Sequence, residues 1–359
     1  MRNAEEWVDD CLQSLVNQTY RPLEIIAVDD GSDDDGYSRL KAWEGVHNDI
    51  PITVLKQNPE GLSAGRNLAL EHSKGTWVAI TDIDCRPDPY WISELYLVSK
   101  GLDDEQVLAV TGRTIFDVGE TTISRLRARS IARKYSGRPR LTSLANGPCS
   151  MFERVALVSI GGFNPKWYHA EDMEVSLRLI ENGGTIVYAP DALVSHVPES
   201  GRKRFLAKRS RDARAHVRII RNFPRRRRKG PDLDFIGSST IVLMVAPLWI
   251  SALVSGLPFI YSLLTSDSLD WGVVKQWWEF KMLILTISLL ILHQFILLRG
   301  PLGVVIRGSI RESNKPKIIA LFSLRALTLQ WSLALWKGLL LGVIDSITGK
   351  NGHRRLFSK

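Results

Sequence analysis

The stretch ITVLKQNPEGLSAGRNLALEHSKGTWVAITDID (residues 52–84) decides the fold, because it changes hydrophobic period twice. ITVL (52–55) is a short apolar, β-branched run. GLSAGRNLALEHS (61–73) follows with helical character, and TWVAITD (76–82) returns to an apolar run that ends in acid. Short apolar runs bounded by turn residues read as strands buried on both faces, and a helix between two of them reads as a crossover. The same alternation continues outward. AEEWVDDCLQSLVN (4–17) spaces Trp7, Val8, Cys11, Leu12, Leu15 and Val16 as one face of a helix, and LEIIAVDDGS (23–32) is a strand running into a polar turn. On the other side come a helix in DPYWISELYLVSK (88–100) and a strand in QVLAVTG (106–112). The pattern predicts an α/β domain with a doubly wound, mostly parallel sheet, whose ligand site lies at the carboxyl ends of the strands.

Residues 113–150 have no clear period. Beyond them, VALVSIGGF reads as a short helix closed by Gly161 and Gly162, AEDMEVSLRLIENGG as a capped helix and TIVYAP as a strand.

Charge divides the chain. Of its 359 residues, 1–200 hold 20 Lys and Arg against 30 Asp and Glu, whereas 201–359 hold 27 against 8. The net charge of +9 therefore hides an acidic front and a basic back. Nucleic acid is set aside as a partner, because the basic excess sits beside long apolar runs and matches an anionic bilayer surface. Three widely spaced cysteines, Cys11, Cys85 and Cys149, form neither a disulfide framework nor a CxxC zinc pattern. The N-terminus, MRNAEEWVDD, lacks the apolar core of a signal peptide.

Residues 201–230 are dense in Arg and Lys and form a basic juxtamembrane segment; residues 231–359 form a membrane region. IGSSTIVLMVAPLWISALVSG (236–256) carries no charge and is long enough for a hydrocarbon core of about 30 Å. MLILTISLLILHQFILL (282–298) is a second span. IIALFSLRALTLQWSLALWKGLLLGVI (318–344) is interrupted by Arg325 and Lys337 and reads as an interfacial or re-entrant helix, with a third full span as the alternative. The basic segments before 236, within 299–317 and after 348 all lie on one side only if 318–344 does not cross. The positive-inside rule makes that side, with the domain 1–200, cytoplasmic.

The chemistry is carried by carboxylates at strand ends. Asp82 and Asp84, two apart where the chain leaves the sheet, can be presented together to a hard divalent cation, Mg²⁺ or Mn²⁺. Asp29 and Asp30 in VDDGS form a second acidic pair on the same edge, and Glu171-Asp172 opens a helix. Each piece alone is also an ordinary turn or helix cap.

Their order is more specific. SLVNQTYRPLEIIAVDDGS, GLSAGRNLAL, TDIDCRPDP, IGGFNPKWYHAEDMEVSLRLIENGG and TIVYAPDALVSH, in that sequence over residues 4–200, resemble the inverting glycosyltransferases of family 2 with their single GT-A domain. The resemblance implies a nucleotide-diphospho-sugar donor and a metal-dependent, single-displacement transfer. It places Asp29 and Asp30 against the nucleoside, Arg66 near the nucleotide and Asp82 and Asp84 at the metal and diphosphate. Asp172 becomes the base with Glu171 its partner, and His196 approaches the metal. The acceptor implied is lipid-linked or a membrane-proximal glycan. A polyprenyl-phosphate acceptor and a non-catalytic relative of the fold stay open as alternatives. The QxxRW motif of processive synthases is missing, which favours transfer of a single sugar. Members of the family usually begin with a buried strand and a P-T-Y-N-like turn, and this sequence starts on the following helix. Either the start lies upstream, or the sheet lacks a central strand and the nucleotide site opens on that side.

Overall fold

A computed structural model describes residues 1–101, 106–167, 169–199, 201–226, 228, 240–265 and 271–349. The first unit is a helix-covered ladder. Helix α1 (Val8–Val16) buries Val8, Cys11, Leu12 and Val16 along one stripe. It lies on a sheet of β1 (Ile25–Asp29), β2 (Gly45–His47) and β3 (Ile50–Lys56), with α2 (Gly36–Ala42) joining β1 to β2. Ile50, Ile52 and Val54 of β3 are buried while Pro51 and Thr53 are exposed, the period-two pattern of a sheet with one covered face. β1 runs parallel to β3, and β2 antiparallel to it.

Helix α3 (Leu62–His72) leads to the second sheet. Its strands are β4 (Trp77–Ile80), β5 (Cys85–Pro87), β6 (Val107–Phe116), β7 (Ser150–Glu153) and β8 (Thr185–His196), in the order β4-β7-β6-β8-β5. Helices α4 (Trp91–Ser99), α5 (Thr122–Tyr135), α6 (Arg154–Ser159) and α7 (Glu171–Glu181) fill the connections. Leu108, Ala109, Phe152, Leu157, Val175 and Ile186 meet in the largest core cluster of this half.

The expected α/β architecture is present, but the sheet is mixed rather than mostly parallel. β6 and β8 are parallel, whereas β7 runs antiparallel to both β4 and β6, and β5 antiparallel to β8. β7 lies in the stretch that gave no period, and Ser150, Met151 and Phe152 are all buried, so no alternation marks it. β5 is three residues long and ends in proline. Between β1 and β4 there is no ladder among the described residues. There the Met1 amino group donates to Val28 O, and Asp30 N donates to Met1 O at 2.8 Å.

The basic segment forms α8 (Arg202–Asn222), which buries Ala215, Ile219 and Phe223 of its end against Met173 and Leu177 of α7. Then follow α9 (Thr240–Leu243), α10 (Val245–Thr265), α11 (Trp271–Val274), α12 (Trp278–Arg299), α13 (Pro301–Arg311) and α14 (Lys317–Ile347). Among the described residues, three helical stretches are long and apolar enough to cross a membrane: Thr240–Thr265, Trp278–Arg299 and Lys317–Ile347. The start of the first expected span, 236–239, and nearly all of the tail lie outside the described residues.

α14 differs from the other two in being 39% buried over its apolar window, against 17% for each of them. Its second half runs beside α8 in the same direction. Arg202 donates to Gln330, the rings of Phe205 and Trp331 meet edge to face at 5.3 Å, and Asp345 takes both Nε and a terminal nitrogen of Arg214 at 2.7 Å. Gly338 and Gly342 make this approach possible. A Cβ at Gly338 would lie 2.2 Å from Ser210 O, and one at Gly342 2.7 Å from Val217 Cβ.

Candidate active site

Arg66 joins the acidic elements. It sits on the first turns of α3, 9% exposed, with its guanidinium 5.3 Å from the centre of the Phe163 ring. One terminal nitrogen reaches Asp82 Oδ1 at 3.1 Å, the other Glu171 Oε1 at 3.0 Å. Two carboxylates about ninety positions apart thus share one cation. Burial opposes the Arg66 charge, but Asp82, Glu171 and Asp172 outweigh it and hold the guanidinium above its usual range. Burial, opposed by Arg66 and helped by Asp172, raises the Glu171 carboxyl.

Asp172, beside Glu171 in the first turn of α7, accepts from Gly147 N at 3.3 Å and from Met173 N at 2.8 Å. The turn into α7 is made by Ala170 in the left-handed region, φ 64°. That conformation costs a residue with a Cβ on the order of 1–2 kcal/mol and is found where backbone is held for a purpose. Arg66, Gly147 and Asp172 line one narrow gap with Phe163, too small to seat a water molecule.

Asp84 and His196 are brought together by sheet register, because Cys85 of β5 stands opposite His196 of β8. His196 Nε2 lies 3.6 Å from Asp84 Oδ2. The other ring nitrogen, Nδ1, is 2.8 Å from Val197 O, an oxygen that can only accept. The proton of a neutral ring therefore sits on Nδ1, leaving the Nε2 lone pair aimed at a carboxylate. Phe116, stacked on the ring at 4.2 Å, fixes its plane. A bare nitrogen and a carboxylate oxygen at this separation suit a cation between them, so the donor set fits a divalent metal. Cys85 Sγ also lies within 4.8 Å of these ligand atoms, but burial, with Asp82 and Asp84, pushes its thiol far up, and a hard cation prefers the oxygens. Cys11 and Cys149 are pushed up to about 12 by burial, and all three thiols are free.

Asp29 and Asp30 stand at the end of β1, and their carboxylates are engaged by the loops that follow β1 and β3. Asp29, fully buried, accepts from Ser32 N and Ser32 Oγ. Asp30, 8% exposed, accepts from Gln57 Nε2 at 2.6 Å, Glu60 N at 2.8 Å and Gly61 N at 3.0 Å. Gly31 follows at φ 69°, and a Cβ there would lie 2.7 Å from Pro59. These bonds fix the 57–61 loop, from which α3 delivers Arg66.

The structure thus brings Arg66, Asp82, Glu171 and Asp172 to one point and joins Asp84 to His196 next to it. Two participants were not foreseen. Gly147, whose amide orients Asp172, lies in Asn146-Gly147-Pro148, a turn signal inside the unassigned stretch. Phe163, under Arg66, had no local signature.

The architecture is that of a GT-A type fold. A mannosyltransferase from Pyrobaculum calidifontis, solved in complex with GDP-Man and Mn²⁺, shares the fold at a TM-score of 0.51 and 19% identity, over 98% of this chain and 86% of that one. Residues 1–161 match the family described as glycosyl transferase family 2. Among curated relatives, glycosyltransferase GlyA of Streptococcus pneumoniae is 34% identical over 94 residues, 26% of this chain. A pre-mycofactocin glycosyltransferase of Mycobacterium tuberculosis is 30% identical over 198 residues, 52% of this chain. The matched stretches cover 13% and 39% of those relatives' own lengths.

Proposed function

We propose that the chain is a membrane-anchored inverting glycosyltransferase that moves one sugar from a nucleotide-diphospho-sugar to a lipid-linked or membrane-proximal acceptor. The carrying observation is the Arg66 bridge from Asp82 to Glu171, which sets the acid pair of α7 beside the Asp84–His196 pair. Asp84 and His196, with Asp82 adjacent, are the residues to hold Mg²⁺ or Mn²⁺. When bound, such an ion neutralises charge on a departing diphosphate. The solved mannosyltransferase with GDP-Man and Mn²⁺ supports that donor class. Asp29 and Asp30 organise the nucleoside end, and Arg66 serves the nucleotide side.

Asp172 is the base. Its Oδ2 is oriented by Gly147 N, and among the described residues it is in no ion pair that would have to break before it accepts a proton from an acceptor hydroxyl. A single displacement with such a base inverts the anomeric centre.

In this reading the chain divides into a nucleotide-sugar unit over 1–200, a basic juxtamembrane segment over 201–230 and a membrane region over 231–359. Two spans, α10 with α9 and α12, fit the packing better than three. From Gln330 to Asp345, α14 is clamped to α8, which itself rests on α7. The remaining turns, 317–329, cover only about 20 Å at 1.5 Å per residue, short of a core of about 30 Å. α13 is held on the same side by Glu312, which pairs with Arg129 of α5. The basic side chains of α8 and α13 then face one compartment, which the positive-inside rule makes the cytoplasm.

The test is nucleotide release by membranes holding the full chain, screened against UDP- and GDP-sugars with Mn²⁺. A donor that turns over in the wild type should lose about 10²–10⁴-fold of its rate in Asp172→Asn when the acceptor is a hydroxyl. An unchanged rate would remove Asp172 from the chemistry and point to an acceptor already ionised, such as a lipid phosphate.

A further inference from the structure

Away from the carboxylate edge, a cavity of about 490 Å³ lies between the nucleotide-sugar unit and the apolar helices. One wall is the start of α5, Thr121–Ile123; the other is α14, through Phe322, Leu324 and Leu327. Arg202 and Lys315 complete the lining, and both are exposed. Neither is in an ion pair among the described residues; Arg202 spends its Nε on the neutral Gln330. Glu120, next to Thr121, is exposed and in no ion pair among the described residues, whereas two other acids close by in sequence are committed. Glu199 pairs with Arg127 and Lys208, and Glu312 with Arg129.

Two cations outside any ion pair among the described residues therefore stand above an apolar wall. The adjoining surface of α14 displays Ile318, Ile319 and Phe322 at 65%, 50% and 66% exposure, a surface that only hydrocarbon covers favourably. Cations at the polar level with an apolar groove beside them complement an amphiphile with an anionic head. A free phosphate would leave the groove uncovered, and a neutral lipid would leave the cations unpaired.

We propose that this cavity seats the phosphate of an anionic glycerophospholipid of the bilayer, with Arg202 and Lys315 on the head group and an acyl chain along Phe322, Leu324 and Leu327. The proposal rests on the membrane placement given above. The site is coupled to the active centre by short connections. Thr121 follows Phe116 of β6 by five residues, Arg202 follows His196 of β8 by six, and Phe116 and His196 stack on each other. A lipid held here sets the height of the donor site above the membrane.

The test uses the full chain purified in non-ionic detergent, titrated separately with phosphatidylglycerol and phosphatidylcholine, with adducts counted by native mass spectrometry. The wild type should retain one phosphatidylglycerol at a concentration where phosphatidylcholine leaves none. Retention should fall by about tenfold or more in R202Q/K315Q, a change of 1.4 kcal/mol or above. It should fall equally in S323W, which fills the cavity without altering charge. R307Q/R311Q, which removes two charges of α13 outside the cavity, should leave it unchanged. Retention that survives both cavity variants, or that falls as much in the α13 variant, overturns the proposal. Retention of undecaprenyl phosphate in place of phosphatidylglycerol overturns it too, by assigning the cavity to an acceptor. Failure of the membrane reading is seen separately, as release of the chain from membranes by alkaline carbonate.

Discussion

The end of β1 and the end of β4 carry similar acidic pairs, yet the two pairs are in opposite states. Asp29 and Asp30 are buried, and the bonds named for them fix loops, Asp29 the turn at Ser32 and Asp30 the 57–61 loop after β3. Asp82 and Asp84 instead face side-chain nitrogens of basic residues, Asp82 an arginine of α3 and Asp84 a histidine of β8. A carboxylate saturated by backbone N–H groups contributes to stability, because removing it strands buried donors. A carboxylate facing a bare ring nitrogen adds little to stability and is poised for a cation. Asp345 extends the first class to the far end of the chain, where it holds Arg214 and Arg218 at 2% exposure.

Substitutions should separate these classes. The largest stability loss is expected at Asp345: D345N removes a buried carboxylate charge from beside Arg214 and Arg218 and should cost about 3–5 kcal/mol, read as a fall in the thermal midpoint of the full chain. D30N should cost less, about 1–3 kcal/mol, since some of the amide donors from Gln57, Glu60 and Gly61 lose a charged acceptor. D84N should leave the midpoint within about 0.5 kcal/mol of the wild type. A D84N loss as large as that of D30N would erase the distinction between the two pairs.

A smaller effect concerns pH. The Glu171 carboxyl is raised above its usual 4.5, mainly by burial against the pull of Arg66. A raised carboxyl binds its proton more tightly folded than unfolded, so its contribution is fully present below pH 4.5 and is lost as pH rises through the raised value. E171Q should flatten the dependence of the thermal midpoint on pH in that window; an unchanged slope would show that Glu171 is not the group responsible.

Much of this was legible because the informative residues cluster locally. The strand ends VDDGS and TDID and the helix opening at Glu171-Asp172 are each read within a few residues, and β1, β3, β4, α3 and α4 lie where the periodicity puts them. What stayed hidden depends on long-range register. The meeting of Asp84 with His196 was implied by the family resemblance, but the pairing that produces it, β5 antiparallel to β8, was not readable from periodicity because β5 is too short. The sheet's mixed direction turns on β7, whose buried run shows no alternation. The amide of Gly147 reaches Asp172 through a turn with no periodic neighbour, and the clamp of α14 on α8 depends on two glycines in an otherwise apolar run.

The central claim is that Asp84 and His196 form the cation site through which a nucleotide diphosphate is held. The most direct measurement is calorimetric titration of the full chain with UDP and with GDP, with and without Mn²⁺. The account predicts binding of one of them that requires Mn²⁺ and disappears in the D84N/H196A variant while the thermal midpoint is kept. Nucleotide binding that is indifferent to Mn²⁺, or that survives that variant, would contradict it.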